Sequence, residues 1–189
     1  MSDMTHVPNS PLDGASYQGF AEVSEIGPLG MITLRAATDL PGLPAAVKAA
    51  VGVALPAPRR IVLRDGRGAG WMSPDEWLLI LPYAEVAGAL AKMEAALAGQ
   101  HFLAVDVSDA RAVFRVTGAK AGEVLMKLCP VDLAALAPGE LRRTRAAQVA
   151  AAFWRDGDGF TLVSFRSVAG YVMGVLSHAA QPGSELGLI

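Results

Sequence analysis

The chain contains 189 residues, 52% of them hydrophobic, with 16 basic and 18 acidic side chains and a formal net charge of −2. A chain of this length can bury one sizeable core, so one globular domain is expected. Because the charges nearly cancel, no summed positive field exists to hold a nucleic-acid backbone or an anionic membrane, and we expect neither as a partner.

The N-terminal residues differ in composition from the rest of the chain. Residues 1–25 are rich in Pro, Asn, Ser and Gly and have little apolar periodicity. We predict a flexible N-terminal arm over 1–25, either disordered or ordered by another chain. A single α+β domain is predicted over 26–180, with a C-terminal tail over 181–189.

The first half of the domain alternates strand and helix patterns. Its predicted elements are a strand at 31–35, a helix at 44–51, a hairpin with arms at 61–64 and 77–81, and a helix between 82 and 99. The hairpin connection at 65–70 is glycine-rich, which supplies the torsional freedom of a turn. The second helix has Val86, Leu90, Met93 and Leu97 at intervals of four, three and four, the spacing of one helical face.

The second half repeats this order. Its predicted elements are strands at 104–108 and 112–117, a helix at 119–128, a hairpin with arms at 144–155 and 160–165, and a helix at 168–177. Residues 31–99 and 112–179 therefore both follow the order strand, helix, hairpin, helix, which indicates an internal duplication. Since neither half is large enough to form a stable core alone, we predict that both sets of strands share a core beneath their helices.

No motif carries recognisable chemistry, and we predict no catalytic, cofactor-binding or metal-binding residue in this chain. The glycines of residues 66–70 lack the dinucleotide-binding spacing and precede a strand, so they are interpreted as a turn. The histidines His6, His101 and His178 have no ligand-like spacing. Cys129, at the end of an apolar helix, is interpreted as a small buried hydrophobe rather than a nucleophile.

Three further sets of residues have competing interpretations. Asp106 and Asp109 are interpreted as capping or solvated groups rather than paired catalytic carboxylates. The basic run at 142–145 could hold an anionic ligand or an acidic partner, although a solvated face is favoured. Large aromatic side chains near the hairpin ends suit either a core or a protein interface. They are Trp71, Trp77, Phe153 and Trp154.

The cysteine content and the N-terminal residues indicate the cellular compartment of the protein. Cys129 is the only cysteine, so no internal disulfide can form, and residues 1–6 lack the pattern of a secretory signal. The apolar runs are shorter than the roughly 18 residues of a membrane-spanning helix. We predict a cytoplasmic protein. Charged residues make up 18% of the chain, compared with about a quarter of typical globular proteins. A low charged fraction is expected when partner subunits cover much of the protein surface.

Six segments share an order and spacing with a known family. They are GVALP at 52–56, WMSPDEWL at 71–78, VDVSDAR at 105–111, LMKLCPVDL at 125–133, residues 144–154, and FRSVAGY at 165–171. Together they resemble the gamma subunit family of heterotetrameric sarcosine oxidase over about residues 26–176.

This resemblance implies a non-catalytic assembly subunit within a four-subunit enzyme that oxidatively demethylates sarcosine to glycine and transfers the one-carbon unit to tetrahydrofolate. It implies alpha, beta and delta subunits as partners. The complex would carry FAD, FMN, NAD, zinc and tetrahydrofolate in those other subunits, with none bound by this chain.

The family is similar in fold to the folate-binding domain of aminomethyltransferases, which would account for the two halves. The chain has no recognisable counterpart of the aminomethyltransferase folate segment, so neither folate binding nor catalysis is transferred to any residue. The alternative hypothesis is a free-standing folate-dependent one-carbon transfer protein, which would need a lined pocket and a carboxylate that reaches the pterin.

Overall fold

Eleven strands and four helices form within residues 8–187, the part of the chain that the structure, a computed structural model, describes. The strands are β1 Ser16–Gln18, β2 Glu22–Ile26, β3 Gly30–Ala36, β4 Ile61–Arg64, β5 Arg67–Ser73, β6 Glu76–Leu81, β7 Phe102–Asp106, β8 Arg111–Thr117, β9 Leu141–Ala146, β10 Val149–Asp156 and β11 Gly159–Phe165. The helices are α1 Leu43–Val51, α2 Val86–Ala96, α3 Ala121–Leu128 and α4 Ala169–Ala179.

The strands form two antiparallel sheets with the same internal order. The five-stranded sheet has the order β4-β5-β6-β3-β7, and the six-stranded sheet has the order β1-β2-β8-β11-β10-β9. The first half of the chain is β3-α1-β4-β5-β6-α2 and the second is β8-α3-β9-β10-β11-α4. In both halves the first strand lies beside the last strand of the meander, so the predicted duplication is present in the topology.

The two sheets pack face to face with helices outside them. Trp77 and Leu79 on β6 pack in the core beneath α1 and α2, whereas the alternating Leu78 and Ile80 pack in a core that contains residues of both sheets. A third core lies between the six-stranded sheet and helices α3 and α4. Side chains on successive strand positions point to opposite faces, so each sheet has two buried faces. The predicted α+β arrangement with a shared core is confirmed.

The structure has a three-stranded meander, β4-β5-β6 or β9-β10-β11, in place of each predicted two-stranded hairpin. The turn after β4 contains only Asp65 and Gly66, both with positive φ, and the following glycines lie in β5. A Cβ on Gly70 would lie 2.6 Å from Cδ1 of the buried Leu141 on the opposite sheet, so a larger residue there would require the Leu141 side chain to shift. In the second half, a turn at Ala147 with φ of 51° divides β9 from β10.

The N-terminal segment differs from the predicted arm. Strands β1 and β2 extend the six-stranded sheet, with β2 paired to β8. The Glu25 carboxylate is buried and accepts hydrogen bonds from the Ser10 hydroxyl at 2.7 Å and the Gly14 amide at 2.9 Å, which fixes the segment before β1. Residues 1–7 of the predicted arm lie outside the described residues.

The C-terminal residues also contact the domain. The amides of Leu186 and Gly187 donate hydrogen bonds to the carboxylate of Glu123 on α3. The Ser184 hydroxyl accepts a hydrogen bond from Nζ of Lys127 at 2.9 Å. This part of the predicted tail is therefore attached to α3, and residues 188–189 lie outside the described residues.

Candidate functional site

A cavity of about 110 Å³ lies between the two sheets. Residues of β3, β5 and β6 line one side, and residues of β8, β9, β10 and β11 line the other. Its apolar wall includes Leu78, Ala152 and Val163. The volume accommodates several waters or a small ligand and is below the roughly 300–1,000 Å³ of pockets for drug-sized molecules.

Arg111 is the unusual charged group of this cavity. It begins β8, and its guanidinium stacks on the Phe165 ring with 4.5 Å between the guanidinium carbon and the ring centroid. Its Nε atom is buried and has no hydrogen-bond partner among the residues that the structure describes. Burial lowers the pKa of Arg111, the Arg143 charge lowers it further, and the Glu76 charge opposes both.

The carboxylate of the cavity already has cationic partners. Glu76 is 8% exposed, and its Oε2 lies 3.3 Å from Nη1 of Arg143 and 3.5 Å from Nη2 of Arg35. Arg35 also lies 3.8 Å from Asp75. The cavity lining thus contains one carboxylate, Glu76, and two guanidinium groups, of which Arg143 forms an ion pair with Glu76 and Arg111 forms none with a described carboxylate.

The predicted interpretations of Cys129 and the aspartates agree with the structure. Burial raises the pKa of the Cys129 thiol to about 12, which is unsuitable for a nucleophile near neutral pH. Asp106 accepts a hydrogen bond from the Ser108 amide at 2.9 Å, and Asp109 accepts one from the Tyr83 hydroxyl at 2.7 Å. These carboxylates therefore have structural partners.

The basic run at 142–145 divides between several environments. Arg142 pairs with Glu140 at 3.0 Å, Arg143 reaches the inter-sheet cavity, and Arg145 is exposed. Arg143 is therefore the residue of this run that lines the cavity, as the anion-binding interpretation of the run requires. Local sequence patterns do not predict Arg111 as its companion, because the two residues lie on β8 and β9, which are distant in sequence and are not neighbours in the sheet.

The large aromatic residues belong mainly to the core. Trp77, Phe153 and Trp154 are each at most 2% exposed, and Trp71 packs half-buried against the core beneath α1 and α2. Among residues 8–187, no group of three or more His, Cys, Asp and Glu side chains is arranged to hold a metal ion. His101 and His178 are not brought together there, and His6 lies outside this range. The helices within the same residues are too short or too polar to cross a membrane.

An exposed apolar surface lies at one edge of the five-stranded sheet. Strand β7 is the edge strand, and Leu103 and Val105 on it are 53% and 41% exposed. Their register partners on β3 are Arg35 and Thr33, so these side chains share the sheet face that lines the cavity. An apolar edge strand with free hydrogen-bonding groups is a surface that natural proteins generally cover.

The fold and cavity define a duplicated, four-layered α+β domain of the kind found in aminomethyltransferases. The glycine cleavage system aminomethyltransferase T from Bartonella henselae superposes with a TM-score of 0.61 at 15% identity, over 84% of this chain and 46% of that one. At this identity, the similarity establishes the fold alone.

Closer relatives establish the family. The sarcosine oxidase, gamma subunit family matches residues 35–181. A sarcosine oxidase subunit gamma from Corynebacterium sp. strain P-1 is 33% identical over 147 residues, which are 76% of this chain and 71% of that protein. The chain belongs to the sarcosine oxidase gamma subunit family.

Two other comparisons agree. A sarcosine oxidase subunit gamma from Arthrobacter sp. is 36% identical over 60% of this chain, and the match spans 57% of that relative's length. A chain of the heterotetrameric sarcosine oxidase from Corynebacterium sp. U-96, solved in complex with pyrrole 2-carboxylate, superposes with a TM-score of 0.82 at 26% identity, over 93% of this chain and 95% of that one. The predicted family resemblance is confirmed.

Proposed function

We propose that this chain is the gamma subunit of a heterotetrameric sarcosine oxidase and that it acts in assembly rather than in the reaction. The assembled enzyme would demethylate sarcosine oxidatively to glycine and pass the one-carbon unit to tetrahydrofolate. The observation that carries this proposal is the match to a chain of a solved heterotetrameric sarcosine oxidase over 93% of this chain and 95% of that chain.

The alpha, beta and delta subunits are the proposed partners in the cytoplasm. We assign FAD, FMN, NAD, zinc and tetrahydrofolate to those subunits and none of them to this chain. At about 110 Å³, the inter-sheet cavity itself is too small for a flavin, a nicotinamide dinucleotide or a pterin.

The exposed edge strand β7 supports an assembly role. Leu103 and Val105 are apolar side chains on an unpaired edge, and their burial against another subunit would be favourable by about 25 cal/mol per Å² of apolar area. Main-chain groups of the same edge can pair with a strand of the partner. Leu103→Asp should therefore reduce recovery of the complex, whereas Leu63→Asp on β4 is a control with 42% exposure at the other edge of the sheet.

Affinity purification from native cells grown on sarcosine tests the proposal. The tagged chain should bring down a yellow complex, in which the absorbance spectrum identifies flavin and mass spectrometry identifies the larger subunits. Recovery of this chain alone and colourless would contradict the assembly role. Tetrahydrofolate titration of the isolated chain tests the alternative, since saturable stoichiometric binding would favour a free-standing one-carbon transfer protein.

A further inference from the structure

We propose that strand β7 accepts a sixth strand from a neighbouring subunit, which pairs antiparallel with β7 and fills the place that this chain's own β1 fills in the other sheet. The inference rests on the assembly role proposed above and specifies how one contact of that assembly is made. The five-stranded sheet ends at β7, whereas the six-stranded sheet continues past β2 to β1.

Strands β7 and β2 occupy equivalent places in the duplicated fold. Each pairs antiparallel with the first strand of a half, β7 with β3 and β2 with β8. Each is also followed by a strand of the opposite sheet, since β3 comes after β2 and β8 comes after β7. Strand β1 precedes β2 and pairs with it, whereas residues 97–101, which precede β7, form no strand. The five-stranded sheet therefore lacks the counterpart of β1.

The strand registers show which residues of β7 and β2 correspond. Met31 on β3 matches Val113 on β8, because the residue opposite each lies two positions before the N-cap of the 3₁₀ helix that follows the meander. Both side chains belong to the core between the sheets. Counting along the registers from this match places Val105 on β7 at the position of Ser24 on β2.

The corresponding side chains of the two strands differ in polarity. Val105 and Leu103 on β7 are 41% and 53% exposed, and the residues at their positions on β2 are the polar Ser24 and Glu22. Because the positions are equivalent, strand geometry alone does not explain the apolar residues of β7. An added strand would place side chains directly opposite Leu103 and Val105, where apolar pairs stabilise an antiparallel sheet. The partner segment is therefore an extended one with apolar residues at alternate positions.

The main-chain groups of β7 are directed as this pairing requires. The Val107 amide donates a hydrogen bond to the Met31 carbonyl at 2.8 Å. Because amides alternate in direction along an antiparallel strand, those of Ala104 and Asp106 face the open edge. At the position of Asp106 in the other sheet, the Glu25 amide donates to the carbonyl of the residue before β1 at 2.8 Å. A strand from a partner would supply the matching carbonyl to β7.

Amide hydrogen exchange provides the first arm of the test, measured by mass spectrometry with residue-level fragmentation on the isolated full-length chain and on the purified complex. Exchange of the Ala104 and Asp106 amides should slow by about tenfold or more in the complex. The Val105 amide, which is directed towards β3, should exchange slowly in both samples. The Leu63 amide on the other edge strand, β4, is the control and should exchange alike in both.

Ala104→Pro provides the second arm, because it removes one amide from the open edge. Proline is tolerated on an edge strand where the lost N–H faces outwards, so pairing with β3 should remain while recovery of the complex falls by about tenfold or more. Leu63→Pro is the matched control and should leave recovery unchanged. The Arg60 carbonyl accepts a hydrogen bond from Trp71 on β5, so the same alternation directs the Leu63 amide away from β5. Circular dichroism of the isolated variants checks that both fold, and the exchange measurement on the wild type does not depend on either.

Photo-crosslinking from position 103 of the assembled wild-type sequence identifies the occupant. Attachment to an extended segment of another subunit is the expected result. Attachment to this chain, either to residues 1–7 or to a second copy, would overturn the proposal. Unchanged exchange of Ala104 and Asp106 in a complex that does assemble would overturn the added strand alone, whereas a chain recovered without partners would contradict the assembly role as well.

Discussion

Arg59 and Glu140 form an ion pair that joins the two halves of the fold. Arg59 precedes β4 of the five-stranded sheet, and Glu140 precedes β9 of the six-stranded sheet. Glu140 also accepts a hydrogen bond from the Ala137 amide at 3.0 Å and pairs with Arg142 at 3.0 Å. One nearly buried carboxylate therefore fixes a turn and connects both sheets at the same end of the sandwich.

Glu140→Gln should remove this connection. The Ala137 hydrogen bond, together with Arg59 and Arg142, lowers the pKa of Glu140 below its ordinary value of 4.5. A lowered pKa in the folded state contributes stability that is present above about pH 4.5 and is lost as the pH falls through the folded-state pKa. We expect Glu140→Gln to lose about 1–3 kcal/mol at pH 7 and to have a flatter stability profile below pH 5.

Urea unfolding between pH 3 and pH 7 measures this difference. Glu94→Gln is the control, because Glu94 is exposed on α2 and should change the free energy of unfolding little. Parallel profiles of Glu140→Gln and the wild type below pH 5 would contradict the assigned role.

Leu79→Ala and Leu162→Ala form a matched pair in the two halves. Leu79 lies on β6 and Leu162 on β11, which occupy the same place in the two repeated strand orders, and both side chains are 0% exposed. Each truncation should cost about 2–5 kcal/mol through lost burial and the cavity left behind. Circular dichroism and tryptophan fluorescence should report one coincident thermal transition for both variants. Two separate transitions would mean that the halves unfold independently.

Gly159 and Gly174 should respond oppositely to alanine. A Cβ on Gly159 would lie 2.1 Å from the carbonyl oxygen of Val116 in the neighbouring strand, and backbone cannot move aside cheaply. Gly174 is exposed within α4 with no atom within 4 Å of an added Cβ. Gly159→Ala should thus lower the free energy of unfolding by more than about 1 kcal/mol, while Gly174→Ala should raise it by about 0.5–1 kcal/mol. Equal effects of the two changes in chemical denaturation would be inconsistent with this packing.

Cys129 should be unreactive in the folded chain. With a pKa raised to about 12 by burial, very little thiolate forms at pH 8, and a disulfide reagent such as DTNB should react only after unfolding. The thiol ionises near pH 9 when unfolded but not when folded, so stability should fall as the pH rises from about 9 towards 12. Cys129→Ala should have a shallower decline over this interval. Rapid DTNB labelling under native conditions would contradict the buried assignment.

The parts of the fold predicted from sequence are those in which one residue pattern decides the structure. Helix α2 followed from the spacing of Val86, Leu90, Met93 and Leu97, since a helical face requires that interval. The first part of strand β5 is predicted as a connection, because Gly68 and Gly70 give no apolar alternation. A Cβ on Gly68 would meet Leu63 of the neighbouring strand β4, and one on Gly70 would meet Leu141 of the opposite sheet, so their small size is explained only by tertiary packing.

The N-terminal strands and the cavity needed information that local patterns lack. Strand β2 places a buried carboxylate, Glu25, where an alternating strand pattern predicts an apolar residue, and its partners are as distant as Ser10. The cavity brings together Glu76 from the first half and Arg111 and Arg143 from the second. Such proximity across sheets has no sequence spacing to detect. The basic run at 142–145 points to Arg143, but no local motif connects it with Arg111 or Glu76.

The shared core between the sheets has a consequence during synthesis. The inner face of the first sheet includes Met31, Leu78 and Ile80, and its covering residues include Leu141, Trp154 and Val163 from later in the chain. The first half therefore emerges from the ribosome with an apolar face that stays exposed to solvent until the second half has been synthesised. We expect the nascent chain to complete its folding late and to interact with chaperones until β9–β11 have emerged.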